Sequence, residues 1–314
     1  MDDKGDRPSE IRHYRRLAKK IVRKHFRTDA SRLVYRSSGR TNYVFAINHV
    51  EGQFMVRISP DPAKLGSFLK ERWATEKVRQ AGVPSPEVLA VGNDISEEPY
   101  MITRMVTGTE ASHHPKRNRI IKEMGRFAAI INSIQTTAFG ANFDWSTNGV
   151  KHHTWDDYLK EEFRIDERFE FFEKQQILPQ ATLDHLVGTI EASRNDRINP
   201  SLNHGDLRLK NVMVDDDGAI ASIIDWEECI STIAPQWELS IALHDLSIDE
   251  KQLFLDGYGL NNEKVQEMAP LIKAFNIVNY HGVMAQAIND ENHERLAELK
   301  LRLIGALDLY SICH

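Results

Sequence analysis

The residues of this chain best suited to chemistry lie close together in the sequence. They are His204-Gly205-Asp206-Leu207-Arg208-Leu209-Lys210-Asn211, followed downstream by Ile224-Asp225-Trp226. Between them, Asn211-Val212-Met213-Val214 reads as a short apolar strand, Asp215-Asp216-Asp217-Gly218 as a turn, and Ala219 to Ile224 as the returning strand. Folding about that turn sets Asn211 and Asp225 at one open end of a hairpin, with the loop that carries Asp206 beside them. A carboxylate and an amide oxygen so placed suit a hard divalent cation, because Mg²⁺ takes few protein ligands and fills its shell with phosphate oxygens and water. Asp206, outside that shell, is positioned to take a proton from a substrate hydroxyl. These are the parts of a phosphoryl-transfer site. The competing reading is an Asp-rich turn with solvated acids.

Other elements must position this group. Ile11 to Phe26 predicts a basic amphipathic helix, with Ile11, Tyr14, Leu17, Ile21 and Val22 on one face. That face suits packing on a sheet, or a membrane surface as the alternative. Leu33 to Tyr35, Tyr43 to Ile47 and Gln53 to Ile58 predict an antiparallel sheet with a turn at Glu51-Gly52. Its first hairpin tip, Ser37-Ser38-Gly39-Arg40-Thr41-Asn42, is small and polar, which lets backbone N–H groups approach phosphates. Lys64 to Ala81 predicts a helix with Phe68, Leu69, Trp73 and Val78 inward, ended by Gly82. Strands follow at Glu87 to Val91 and Tyr100 to Val106. Ile120, Met124, Phe127, Ile131 and Ile134 form a buried helix seam. Trp155 to Glu173 predicts an acidic helix, and from Pro235 onward the chain reads as helices, with a core stripe at Leu296, Leu299, Leu303 and Leu307.

Bulk properties narrow the class. The 314 residues suit one two-lobed domain or two modest ones. No apolar run approaches a membrane span, and the polar start carries no apolar stretch of a signal peptide. Two cysteines, Cys229 and Cys313, are too few for a disulfide framework or a thiolate metal site, so a reducing cytoplasm is expected. His113-His114 and His152-His153 lack metal-ligand spacing. The net charge of −6 is uneven, at +6 over residues 1–110 and −12 over the remainder. Solvated surface explains this, or else a basic lobe receives a polyanionic nucleotide while acids, many of them in Trp155 to Glu173, attract a cationic acceptor. No basic stripe with interleaved aromatics points to nucleic acid. GxGxxG and GxxxxGK[ST] are both absent, which disfavours a P-loop enzyme.

The segment LNHGDLRLKNVMVDDDGAIASIIDWEE resembles the catalytic core of the aminoglycoside phosphotransferase family, which shares a kinase-like fold with choline and fructosamine kinases and carries HGDxxxxN. The resemblance implies an α+β, two-lobed fold: a small antiparallel-sheet lobe over residues 1–105 that binds nucleotide, and a larger, mostly helical lobe over 106–314. It implies ATP (or GTP) as co-substrate, Mg²⁺, and a small-molecule hydroxyl as acceptor, such as an aminoglycoside or another amine-bearing compound. Asp206 matches the catalytic Asp, and Asn211 and Asp225 the metal ligands. Ser38, Gly39, Thr41 and Asn42 of the small polar tip are the candidate phosphate-side residues, with a plain hairpin turn as the competing reading. Arg57 matches the strand cation that pairs with nucleotide phosphates, and Glu71 the acid that steadies it, with Glu76 as rival. The backbone at Arg104 and Val106 matches the hinge against the adenine edge. Three departures stand out: Asn132 where the family often has His, Ile233-Ala234 where it usually has Gly-Asp, and Glu238 where it has Asp. Rival functions are a protein kinase, opposed by His-Gly-Asp and by Trp226, and a silent nucleotide-binding scaffold, opposed by the intact central residues. The acceptor and the oligomeric state are left open.

Overall fold

The computed structural model describes residues 8–37, 42–146, 149–194 and 198–307, with side chains up to residue 303. Helix α1 (Pro8–Phe26) precedes β1 (Arg32–Arg36), β2 (Tyr43–His49) and β3 (Gly52–Ile58). Helix α2 (Lys64–Gln80), β4 (Val88–Gly92) and β5 (Tyr100–Arg104) follow. The five strands form an antiparallel sheet in the order β1-β2-β3-β5-β4. Strand alternation decides the faces. Phe54, Val56 and Ile58 of β3 are buried and share a core with Tyr14, Leu17, Ile21 and Val22 of α1. Each such side chain withdrawn from water is worth roughly 1.5–3 kcal/mol. The apolar stripe of α1 is therefore covered by the sheet, and its cations face outward. Arg57 and Met55 point to the opposite face of the sheet, toward α2.

The rest of the chain is mostly helical. It contains β6 (Thr109–Glu110), α3 (Arg117–Asn132), α4 (Trp155–Asp157), α5 (Ile165–Lys174), α6 (Gln180–Ser193) and β7 (Ser201–Asn203). Then come β8 (Val212–Val214), β9 (Ile220–Ile223), β10 (Ile230–Thr232), α7 (Gln236–Ala242), α8 (Ile248–Tyr258), α9 (Asn262–Asn289) and α10 (His293–Leu307). The predicted α3 seam is buried with Leu239 and Phe254, and Ala74 and Val78 of α2 join the same core. That packing couples the helix carrying Glu71 to the helical part. Leu299 and Leu303 are buried in a second core, with Trp155, Tyr158, Trp237 and Phe275. Among the described residues no helix is long and apolar enough to cross a membrane.

Two pairings place the motif. β8 and β9 form the predicted hairpin, with Val212 opposite Ile223. β7, which leads into His204, pairs with β10, which leaves from the Asp225 segment, with Asn203 opposite Ile230. The stretch Trp155 to Glu173, expected as one helix, is broken: Arg164 is left-handed (φ 54°), and a π-turn over Tyr158–Glu162 precedes it. Tertiary bonds override the helical pattern here. Arg168 donates to the carbonyls of Phe163 (2.7 Å) and Val278 (2.9 Å), pinning the bend to α9.

Candidate active site

The loop after β7 is fixed from beneath. Gly205 has φ +79°, and a Cβ there would lie 2.1 Å from the Glu228 carbonyl oxygen, so only glycine fits. His204 is fully buried, and its Nδ1 accepts the Asp206 N–H (3.2 Å). The other nitrogen, Nε2–H, therefore donates to the Ile224 carbonyl (3.0 Å), tying the two halves of the motif together. Burial lowers its pKa to about 4, which keeps the ring neutral. Glu238 of α7 is also fully buried and accepts the His204 N–H at 2.5 Å. Burial raises its pKa to about 7, against the loop amides of His204, Gly205 and Leu207. Glu238 thus supports the loop although Ile233-Ala234 replaces Gly-Asp. Asn132 donates to the Leu202 carbonyl (3.0 Å) and accepts from the Tyr258 hydroxyl (3.0 Å), so the departure from His still leaves β7 anchored to α3.

The open end of the hairpin assembles the remaining groups. Ile224 N–H donates to the Asn211 carbonyl (2.9 Å), and Asp225 is left-handed (φ 68°) immediately beyond. Asn211 Nδ2 donates to Asp206 Oδ2 (2.9 Å) and to the Asp206 carbonyl (2.8 Å), which leaves Oδ1 as the side-chain atom for a cation. The carboxylate of Asp225 has no hydrogen-bond or ion-pair partner among the described residues. Asp225 is exposed on its open side, and partial burial on the other raises its pKa, with the Asp206 and Glu227 carboxylates adding to the rise against Arg57. An unpaired, accessible carboxylate beside a free amide oxygen is a donor set that fits Mg²⁺. Sequence reasoning missed two cations inside the motif. Arg208 Nε and Nη2 both donate to Asp206 Oδ1 (2.5 Å each), and Lys210 Nζ lies 2.9 Å from Oδ2.

Above the hairpin a cleft of about 390 Å³ opens under the sheet. It is bordered by Arg57, Glu71, Arg104, Val106, Asn211 and Asp225, six residues chosen from the sequence. Met55, Met105 and Met213 give it apolar walls. Arg57 is paired with Glu71, which is buried; burial raises the carboxyl's pKa and Arg57 opposes the rise. Glu76 instead bonds Arg72 (2.8 Å) on the exposed side of α2. The Arg104 N–H is already bonded to the Glu87 carbonyl (2.9 Å), so of its two backbone groups only the carbonyl can face a base. Asn42 is half-buried, and its Oδ1 is unpartnered among the described residues. Ser38, Gly39 and Thr41 lie outside the described residues, as does Cys313.

On the far side of Asp206 lies a second cavity of about 550 Å³, between α7 and α9. Its borders include Asp206, Arg208, Glu228, Trp237 and Tyr280. The acids of Trp155 to Glu173 are not among them. Asp156 and Asp166 pair with Arg194, at 2.9 and 3.1 Å, and Glu167 with Arg164. These three carboxylates are met by local cations, and the segment does not border the cavity.

Residues 33–271 match the family model described as the phosphotransferase enzyme family. The chain belongs to this family. No curated protein matches it in sequence. Solved structures place this phosphotransferase-family chain in the kinase-like fold. Aminoglycoside phosphotransferase APH(4)-Ia superposes with a TM-score of 0.66 at 20% identity, covering 93% of this chain and 98% of its own. A thermostable mutant of that enzyme, solved as a ternary complex with AMP-PNP and hygromycin B, gives 0.65 at 18% identity over the same shares. APH(2″)-IIIa, solved with GDP and kanamycin, gives 0.63 at 15% identity, covering 92% and 98%.

Proposed function

We propose that this family member transfers the γ-phosphoryl group of ATP to a hydroxyl of a small molecule. The observation that carries this reading is the position of Asp206, which borders the second cavity while Asn211 and Asp225, tied to its loop, border the nucleotide-sized cleft. Asp206 Oδ1 and Oδ2 face different donors, so an acceptor hydroxyl can replace one of them and be oriented and deprotonated there. The acceptor oxygen bonds to the γ-phosphorus, the bond to the β,γ-bridging oxygen breaks, and its electron pair leaves with ADP. The hydroxyl proton passes to Asp206. Asn211 Oδ1 and Asp225 would hold Mg²⁺, which supplies charge compensation on the phosphates. Arg57, steadied by Glu71, would meet the phosphates with the 38–42 tip, and Arg104 and Val106 would meet the base. His204 shapes the loop and takes no proton.

The nucleotide-binding part in this reading is residues 1–105 and the acceptor-binding part 106–314, in a cytoplasmic enzyme. Relatives solved with AMP-PNP or with GDP support a nucleotide co-substrate, with ATP first and GTP as the alternative. Complexes of relatives with hygromycin B and kanamycin support a small hydroxylated acceptor. Glu228, which has no ion pair among the described residues, gives an amine on that acceptor one place to bind. The test is ADP release and product mass with Mg²⁺-ATP, or Mg²⁺-GTP, over a panel of hydroxyl compounds. Nucleotide binding with no turnover on any acceptor would leave only a scaffold.

A further inference from the structure

The cavity beside Asp206 carries a finer assignment, which rests on reading it as the acceptor site. Two helix faces wall it at helical spacing. Trp237, Ile241 and His244 come from α7 and the turn after it, and Asn276, Asn279 and Tyr280 from α9. A directed run of hydrogen bonds crosses this wall. Asn276 Nδ2 lies 2.7 Å from the Ser240 carbonyl oxygen, which can only accept, so the amide orientation is fixed. Its second N–H meets His244 Nδ1 at 3.4 Å, which makes Nδ1 the acceptor and puts the ring proton on Nε2. Burial lowers the pKa of His244 and favours that neutral ring. Nε2–H then donates to the Tyr280 oxygen (2.8 Å). The hydroxyl hydrogen of Tyr280 is left unused by the relay, on a side chain that borders the cavity.

Charge adds a second constraint. Arg208 stands in the wall and is bound to Asp206, with Asp245 also 3.5 Å away. Glu228 is the one bordering carboxylate without a cation partner among the described residues. A molecule with several ammonium groups would find one free carboxylate and would meet a guanidinium. An ammonium group also cannot accept the Tyr280 hydrogen, whereas a hydroxyl both donates and accepts.

We propose that the acceptor is a polyhydroxylated molecule carrying no more than one positive charge, with one hydroxyl receiving the Tyr280 hydrogen while another reaches Asp206. Tyr280 is the contact residue of this assignment, and His244 and Asn276 are positioning residues behind it.

The experiment measures ADP release and product mass at saturating Mg²⁺-ATP. Its acceptors are neutral hexoses and inositols, their monoamines, and kanamycin. The expected result is a kcat/KM at least about tenfold higher for the best neutral or monoamine polyol than for kanamycin, the size of one well-made hydrogen bond. Tyr280→Phe should raise the acceptor KM about tenfold with kcat changed less than about twofold. His244→Leu should match it, and His244→Gln, whose amide can replace Nε2–H, should restore the parent KM. Kanamycin as the best acceptor of the parent enzyme overturns the assignment while phosphoryl transfer stands, and that arm needs no variant to fold. An unchanged acceptor KM in folded Tyr280→Phe also overturns it. Nucleotide binding with no turnover on any class overturns the underlying reading of the cavity, and the assignment falls with it.

Discussion

The cleft under the sheet and the cavity between α7 and α9 meet at the Asp206 loop but are built differently. In the cleft, each polar residue comes from a different element and leans on another: Arg57 of β3 on Glu71 of α2, and Asn211 on Asp206. In the cavity, two helices each contribute a row of side chains, and the polar ones are tied across that one pair of helices, Asn276 of α9 to the Ser240 carbonyl of α7 and His244, just after α7, to Tyr280 of α9. Cleft residues are therefore coupled to stability and to one another. The α7 and α9 side chains that wall the cavity make no hydrogen bond or ion pair to the cleft residues Arg57, Glu71, Asn211 or Asp225 among the described residues.

The most forceful test of this contrast removes the group the two regions share. Asp206→Ala should lower turnover by about 10²–10⁴, the usual worth of a positioned base, with nucleotide affinity retained. Single-turnover rates equal to the parent's in a folded variant would take Asp206 out of the mechanism. The next test confines itself to the cleft. Arg57→Met leaves the buried Glu71 carboxyl without its cation, at a cost of about 3–5 kcal/mol in unfolding free energy. Glu76→Ala, on the exposed face, should stay within about 0.5 kcal/mol. Denaturant unfolding that ranks the two the other way would show that Arg57 and Glu71 are not an interdependent pair.

Why the cleft was legible in the sequence and the cavity was not follows from the same contrast. The resemblance pointed to Glu71 with Glu76 as rival, and the structure puts Glu71 on the buried stripe of α2, three residues after Phe68 and seven before Val78, with Glu76 off it. The hairpin was marked by two apolar strands and a turn. Arg57 was reached through the resemblance, and the alternation of β3 turns it away from α1 toward α2; the seam of α3 was plain from its period. The walls of the cavity obey helical spacing too, but Asn276, Asn279 and Tyr280 interrupt an apolar face that otherwise reads as core, and only the facing α7 makes that interruption the wall of a cavity. Arg208 and Lys210 were hidden for another reason: a motif's variable positions carry no signal until their partners are seen. The acids of Trp155 to Glu173 do not border the cavity, and net charge over a segment is blind to Arg194, which pairs with two of them.

A smaller effect should distinguish the metal position from the base. Asp225→Asn keeps the side chain's shape and removes the formal charge, so Mg²⁺-ATP affinity should fall by about tenfold or more. Acceptor KM, set on the other side of Asp206, should move little. Calorimetry giving equal Mg²⁺-ATP affinity for the parent and Asp225→Asn would argue against Asp225 as a ligand.

The loop dividing the two regions is held by a buried pair whose titrations oppose each other, and this gives the smallest and most specific test. Burial raises the pKa of Glu238 from 4.5 to about 7. Its contribution to stability is fully present below the unfolded value and is lost as pH rises through the folded one. Burial lowers the pKa of His204 from 6.5 to about 4, so its contribution is present above 6.5 and is lost as pH falls through 4. Between these limits the two slopes run in opposite directions, and the parent protein should show a shallow dependence of stability on pH from this pair. Glu238→Gln keeps an oxygen for the His204 N–H and removes the titrating proton. Only the His204 slope then remains. Relative to the parent, the variant should lose on the order of 1–2 kcal/mol more stability between pH 7 and pH 5, read by urea unfolding at each pH. Its turnover at neutral pH should stay closer to the parent's than that of Asp206→Ala, because the carboxylate acts through the loop backbone and borders neither the cleft nor the cavity. Parallel pH–stability curves for the two proteins would mean that the buried carboxyl and imidazole do not titrate against each other.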